Sequence, residues 1–223
     1  VTGGGVADLN TMNNGKASSS YTNFTSANGW VVVNSALNQG AVNPETNANP
    51  VFGFLGDEKT FAVTLRGGTD KDPGKLTSPV LAGGLAKLTF NYTNLFTDTK
   101  FSVTVNIKDA AGNVLKSEVV EYDNPTKEKY VVREYVLEFA VEGEFVIEIV
   151  NNCPNGLTGN KDRATIWNIA WLGAGQTAPE QPEVPAHTHV ACPECGLCTD
   201  PECPGEKAEK CADLCNVKSS SSC

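Results

Sequence analysis

Residues 85–108 alternate so regularly between apolar and polar side chains that they leave little choice of fold. Leu88, Phe90 and Tyr92 share one parity against Lys87, Thr89 and Asn91, and Phe101, Val103, Val105 and Ile107 share one against Ser102, Thr104, Asn106 and Lys108. A period of two puts each set on one face of a strand, which predicts two half-buried antiparallel strands with a core face and a solvent face. The connection between them holds Asn94, Asp98 and several Thr, all turn formers.

The same signal recurs along the chain. Strands are expected over residues 6–9, 30–33, 51–55, 60–65, 114–122, 130–139, 144–150 and 164–172, separated by Gly-, Pro-, Asn- and Asp-rich punctuation. Hairpins are expected across Gly56-Asp57, across residues 109–113 and across Glu142-Gly143. Arg133 shares its parity with Val131, Tyr135, Leu137 and Phe139, so it needs a partner inside. Residues 164–172 are apolar on both parities, which places them centrally in a sheet, and first and last strands are expected to pair. Residues 10–29 are rich in turn formers and read as a loop wrapping the sheet. About ten strands with no helical period predict an all-β chain, an antiparallel jelly-roll-like β-sandwich over residues 1–174.

Beyond it, residues 175–186 carry three prolines and read as a semi-extended linker, residues 187–217 as a small Cys-rich module and residues 218–223 as a Ser-rich tail. Of eight cysteines in 223 residues, Cys153 stands apart and the other seven lie between Cys192 and Cys223. With abundant Asn, Thr, Ser and Gly, that clustering favours an extracellular or cell-surface setting. The net charge of −9 offers no footprint for nucleic acid or anionic lipid. No apolar run reaches the roughly 18 residues that a bilayer crossing needs, so no direct membrane insertion is expected of this chain, and it reads as soluble.

Several constellations carry chemistry. Asn155, Asn160, Lys161, Asp162 and Arg163 cluster beside Trp167, joining the planar donors and the apolar ring face that a sugar site uses. The alternative is a loop pinned by an Asp162–Arg163 ion pair. Trp30 follows a polar loop and is the Trp expected to be exposed for ligand contact, although a Trp in a sandwich strand is often core. Residues 1–186 contain no His, so Ser-His or Cys-His chemistry has no base there, and Glu118, Glu121, Glu134 and Glu138 read as solvated. The chain is expected not to be an enzyme and to require no cofactor.

Cys192, Cys195, Cys198, Cys203, Cys211 and Cys215 suit either a disulfide staple for a segment too small for its own core, or zinc ligation completed by His187 or His189. An iron–sulfur run would need a spacing one residue shorter before Cys203. Cys153 and Cys223 are the two expected to be left over, or to link subunits.

In order, ADLNT near the start, NGW at residues 28–30, LTSPVL at 76–81, KLTFNY at 87–92, IKDAAGNV at 107–114 and NKDRATIWNIAW at 160–171 give the chain a recognisable pattern. It resembles an uncharacterised jelly-roll-like β-sandwich domain of secreted and surface proteins from anaerobic gut-type bacteria. More distantly it is similar to cleaved-adhesin and MAM-type domains and to carbohydrate-binding modules. The Cys-rich segment resembles modules near the C-termini of such surface proteins, where a membrane anchor sometimes follows.

The resemblance implies a calcium site between first and last strands, at positions held here by Asn10 and Asn168 with Asp8 nearby. Uncharged amide oxygens make such a site weak. The expected function is that of a non-catalytic adhesin or carbohydrate-binding module whose partner is a glycan or a surface protein. The alternatives are an assembly subunit, a homo-oligomer joined through sheet edges or spare cysteines, and a glycoside hydrolase with paired carboxylates.

Overall fold

A computed structural model describes residues 3–39, 61–67, 73–129, 131–153 and 162–176. The chain divides into two compact units, Val1–Ala178 and Pro179–Cys223, and every described residue lies in the first. The Pro-rich linker from residue 177 on, the Cys-rich module, the tail and the expected strand at 51–55 lie outside the described residues.

The described residues form eleven strands and one 3-10 turn, Met12–Gly15. The strands are β1 (Gly5–Val6), β2 (Ser18–Thr25), β3 (Val31–Gln39), β4 (Phe61–Leu65), β5 (Lys75–Thr77) and β6 (Leu85–Thr93). There follow β7 (Lys100–Lys108), β8 (Val114–Asp123), β9 (Arg133–Val141), β10 (Val146–Asn151) and β11 (Ala164–Leu172). They pair in the order β8-β7-β10-β5-β3-β4-β11-β6-β9, with β1 added to β11 and β2 to β3.

This path folds on itself at β3. Val31–Val33 pair with β5, Ser35–Gln39 pair with β4, and Asn34 between them has φ of 46°. A strand that kinks and continues in a second layer makes the corner of a sandwich. One layer is then β8-β7-β10-β5 and the other β4-β11-β6-β9, with β3 shared. Leu88 and Phe90 of one layer and Phe101, Val103, Val105, Ile107, Ile147 and Ile149 of the other form a common buried core. The Tyr92 and Phe101 rings meet across it at 4.8 Å.

The chain is thus an all-β antiparallel sandwich. β11 is central, lying between β4 and β6, and β1 pairs with it. Its apolar character on both parities has a cause: Ile166 and Ile169 enter the main core, whereas Trp167 enters a second cluster on the other face with Ala62 and Leu95. The hairpin across residues 109–113 forms, joining β7 to β8.

Two expectations are corrected. The Glu142-Gly143 link is not a hairpin, because β9 pairs with β6 whereas β10 pairs with β7 and β5. The link instead carries the chain from one layer to the other, and both strands still send their apolar side chains into the shared core. Residues 18–25 are not a loop but β2, paired with β3 with two register shifts. Backbone pairing holds this strand, so its polar side chains can remain in solvent.

Candidate functional site

The residues singled out from sequence separate. Trp30 is fully buried, its ring 5.9 Å from that of Trp171, so it offers no face to a ligand. The cause is the turn before it: Gly29 at φ of 92° reverses the chain, and Ser26 Oγ accepts the Trp30 N–H at 2.9 Å, aiming the indole inward. Trp167 is equally buried, with Nε1 lacking a partner among the described residues. Asn155, Asn160 and Lys161 lie outside the described residues.

Asp162 and Arg163 do not pair with each other. Arg163 instead holds Asp98, with Nε 2.9 Å from Oδ2 and Nη2 3.1 Å from Oδ1. Its guanidinium lies 3.5 Å from the centre of the Phe96 ring. Burial lowers the Arg163 pKa, but the bonds and charge of Asp98 outweigh it and raise it overall. Asp162 points the other way, its carboxylate accepting the Lys100 N–H at 3.1 Å, and burial pushes its pKa up.

Of the expected calcium positions, Asp8 accepts the Thr11 hydroxyl at 2.8 Å and Asn10 Oδ1 accepts the Phe61 N–H at 2.8 Å. Asn168 Nδ2 donates to Asn91 Oδ1 at 3.0 Å. No group of three or more His, Cys, Asp or Glu gathers among the described residues. Cys192, Cys195, Cys198, Cys203, Cys211, Cys215 and Cys223 lie outside them. Cys153 is buried and donates its S–H to the Asp162 carbonyl at 3.0 Å. Glu134 and Glu138 are exposed, whereas Glu118 is half-buried near Tyr135.

The bend of β3 produces a concavity that the sequence does not announce. A cleft of about 500 Å³ opens beside Asn34, lined by Asn23 of β2, Val33 of β3, Pro73, Lys75 of β5, and Glu148 and Val150 of β10. Glu148 accepts from Lys108 Nζ at 2.9 Å and from Asn106 Nδ2 at 3.1 Å, with Lys75 Nζ at 4.0 Å. Burial pushes the Glu148 carboxyl up, but these bonds and the two ammonium charges outweigh it and hold it below the usual range. The cleft therefore presents a charged acceptor, an ammonium and amides between apolar walls.

A second polar cluster gathers around Tyr21 and Arg66, neither of which lines the cleft. Tyr21 lies two residues before Asn23 on β2, and Arg66 packs against it with Cζ 5.8 Å from the ring centre. The Arg66 N–H donates to the Asn34 carbonyl at 3.1 Å, and its own carbonyl accepts from Gly74 at 2.9 Å. Arg163 also interacts with the Tyr21 hydroxyl. Tyr21, Arg66, Phe96 and Asp98 were not singled out from sequence. Each stands alone in an ordinary context, and only the pairing of Leu65 with Ala164 brings the flanking arginines together.

No family model matches the chain, and no curated protein matches it in sequence. Among solved structures it is similar to the K1 cleaved adhesin domain of Lys-gingipain from Porphyromonas gingivalis W83, at 14% identity over 72% of this chain and 98% of that one, TM-score 0.43. It is also similar to a family 6 carbohydrate-binding module, at 10% identity over 76% and 94% of the two chains, TM-score 0.39. A third is an arabinose-bound MgGH51 α-L-arabinofuranosidase, at 14% identity and TM-score 0.41; the match covers 64% of this chain but only 23% of the enzyme. The likeness is one of fold.

Proposed function

We propose that the chain is a non-catalytic, extracellular binding module that takes a glycan in the cleft at the β3 bend. The observation that carries this reading is the cleft itself, a concavity of about 500 Å³ beside the bend of β3. Sugars offer hydroxyls that both donate and accept, and apolar C–H faces. Glu148, Lys75 and the Asn23 amide answer the first, while Val33, Val150 and Pro73 supply walls for the second. Glu148 is held ionised by its neighbours and is therefore an acceptor, not a proton donor, which speaks for binding over glycosidic cleavage.

The assembly reading rests on β8, an edge strand with Val114, Leu115 and Val119 exposed. Lys116 and Glu118 of that strand are half-buried and turn toward Phe139 and Tyr135, a device that blunts edge-to-edge pairing. Binding of the full chain to a panel of soluble glycans and insoluble polysaccharides, with light scattering on the same sample, tests both. Selective binding weakened by Asn23→Ala supports the module. No binding, with concentration-dependent oligomers, favours assembly.

A further inference from the structure

Strand register carries a line of side chains from the cleft across the outer face of its layer. Ser117 of β8 stands opposite Asn106 of β7, Asn106 opposite Glu148 of β10, and Glu148 opposite Thr77 of β5. Thr77 in turn stands opposite Val31 of β3, and Val31 opposite Thr25 of β2. Residues directly opposed on paired strands share a face of the sheet. This face looks away from the core, which receives the alternate residues Val105, Ile147, Leu76 and Val32. Ser117, Val31 and Thr25 are exposed, and the three residues between Ser117 and Val31 are half-buried.

The row has the chemistry of a saccharide track. Glu148 is fixed by Asn106 Nδ2 and Lys108 Nζ, while Asn106 Oδ1 and the hydroxyls of Ser117, Thr77 and Thr25 have no partner among the described residues. Beside it runs a second row in which Val119, Val150 and Val33 alternate with Thr104 and Lys75. Hydrogen-bonding groups next to an aliphatic rail suit the hydroxyl edges and C–H faces of successive sugars. Neighbouring strands lie about 4.8 Å apart, so the five steps from Ser117 to Thr25 cover about 24 Å. That step is close to the advance per sugar of an extended chain such as a β-1,4-linked glucan or xylan, whereas a coiled α-1,4-linked chain curls away from a straight row. β8 and β2 each pair with one strand only, so the row runs out at a sheet edge at both ends.

We infer that the cleft is one part of a longer track, and that the module grips an internal stretch of an extended, linear glycan laid across the strands from Thr25 to Ser117, about five sugars in all. The inference rests on the glycan-binding reading, and its failure can be told from the failure of that reading.

The experiment titrates the full chain with cello- and xylo-oligosaccharides from the disaccharide to the hexasaccharide, with their alditols, and with malto-oligosaccharides of the same lengths. In at least one extended series, affinity rises about ten-fold or more from the disaccharide to the pentasaccharide and then levels off. Reducing the terminal sugar of the hexasaccharide changes it by less than about two-fold, because the ends lie beyond the row. Maltohexaose binds no better than maltose. Ser117→Lys and Thr25→Lys, at exposed positions on opposite ends of the row, each remove the gain from the longest oligomers, whereas Val136→Lys, exposed on the outer face of the other layer, changes nothing. Affinity that is complete at the disaccharide, or lost when the terminal sugar is reduced, overturns the track and leaves a glycan in the cleft. Preference for the coiled series, or binding only to some other glycan of the panel, does the same. Binding to no glycan at all overturns both readings.

Discussion

Arg163 closes on Asp98 across 65 residues of sequence, with three N–H···O bonds, one from its backbone and two from its guanidinium, that tie the start of β11 to the β6–β7 connection. The Arg163 side chain is 18% exposed and that of Asp98 4%, so the pair is largely withdrawn from water. Removing one partner strands the other charge, and Asp98→Asn should cost about 2 kcal/mol or more. A double-mutant cycle with Arg163→Gln in urea denaturation checks it. Additive losses would mean that the two side chains are not coupled.

The open side of the sandwich, between the edge strands β8 and β9, is closed by side chains and not by backbone pairing. Arg133 of β9 lies 3.9 Å from the centre of the Tyr122 ring on β8, giving the inward-facing arginine the partner its parity demands. Arg133→Ala should destabilise by about 1 kcal/mol, and Arg133→Lys by less. An unchanged denaturation midpoint in both variants would show that this contact contributes nothing.

Cys153 should resist alkylation in the native protein at mildly alkaline pH and react after denaturation, since burial first and the Asp162 and Asp98 charges next push its thiol from 9.0 up to about 12. A raised folded value contributes stability that is complete below the unfolded pKa and is lost as pH climbs toward the folded one. Tyr122, raised by burial from 10.0 to about 12, acts in the same direction. Wild-type stability should therefore fall more steeply than that of Cys153→Ala between about pH 9 and pH 11. Parallel curves would show that the thiol titrates alike in both states.

Glu148 gives the opposite dependence. Burial opposes its ionisation, but Lys108, Asn106 and Lys75 together hold its carboxyl below the ordinary 4.5. Its contribution is present above the unfolded value and disappears as pH falls through the folded one. On acidification below about pH 5, wild type should lose stability faster than Glu148→Gln, as followed by urea midpoints. A variant that loses stability just as fast would remove Glu148 from the account.

What the sequence discloses is the part of the fold that is locally encoded. Parity is a property of neighbours, so Phe101, Val103, Val105 and Ile107 announce their core face without reference to anything distant, and all four are fully buried. The central place of β11 is legible for the same reason, because Trp167 and Ile166 are apolar on opposite faces. Pairing is not local. Nothing in residues 130–150 says that β9 and β10 face each other across the core instead of lying edge to edge.

The site is less legible than the fold. Asp162 is the nearest acid to Arg163 in sequence, yet a tight backbone with φ of 55° at Asp162 turns its carboxylate toward Lys100 and leaves Arg163 to Asp98. Trp30 follows polar residues, yet its side chain is fully buried in the core, its N–H bonded to Ser26. The cleft arises from the kink at Asn34 and has no sequence motif at all.

The most direct measurement is an amide shift map of the full chain, recorded with the tightest-binding glycan of the panel. The account predicts perturbations concentrated at Asn23, Val33, Lys75 and Val150, with the Trp30 and Trp167 indoles unmoved. Perturbations centred elsewhere, or a panel in which no glycan binds, would contradict it.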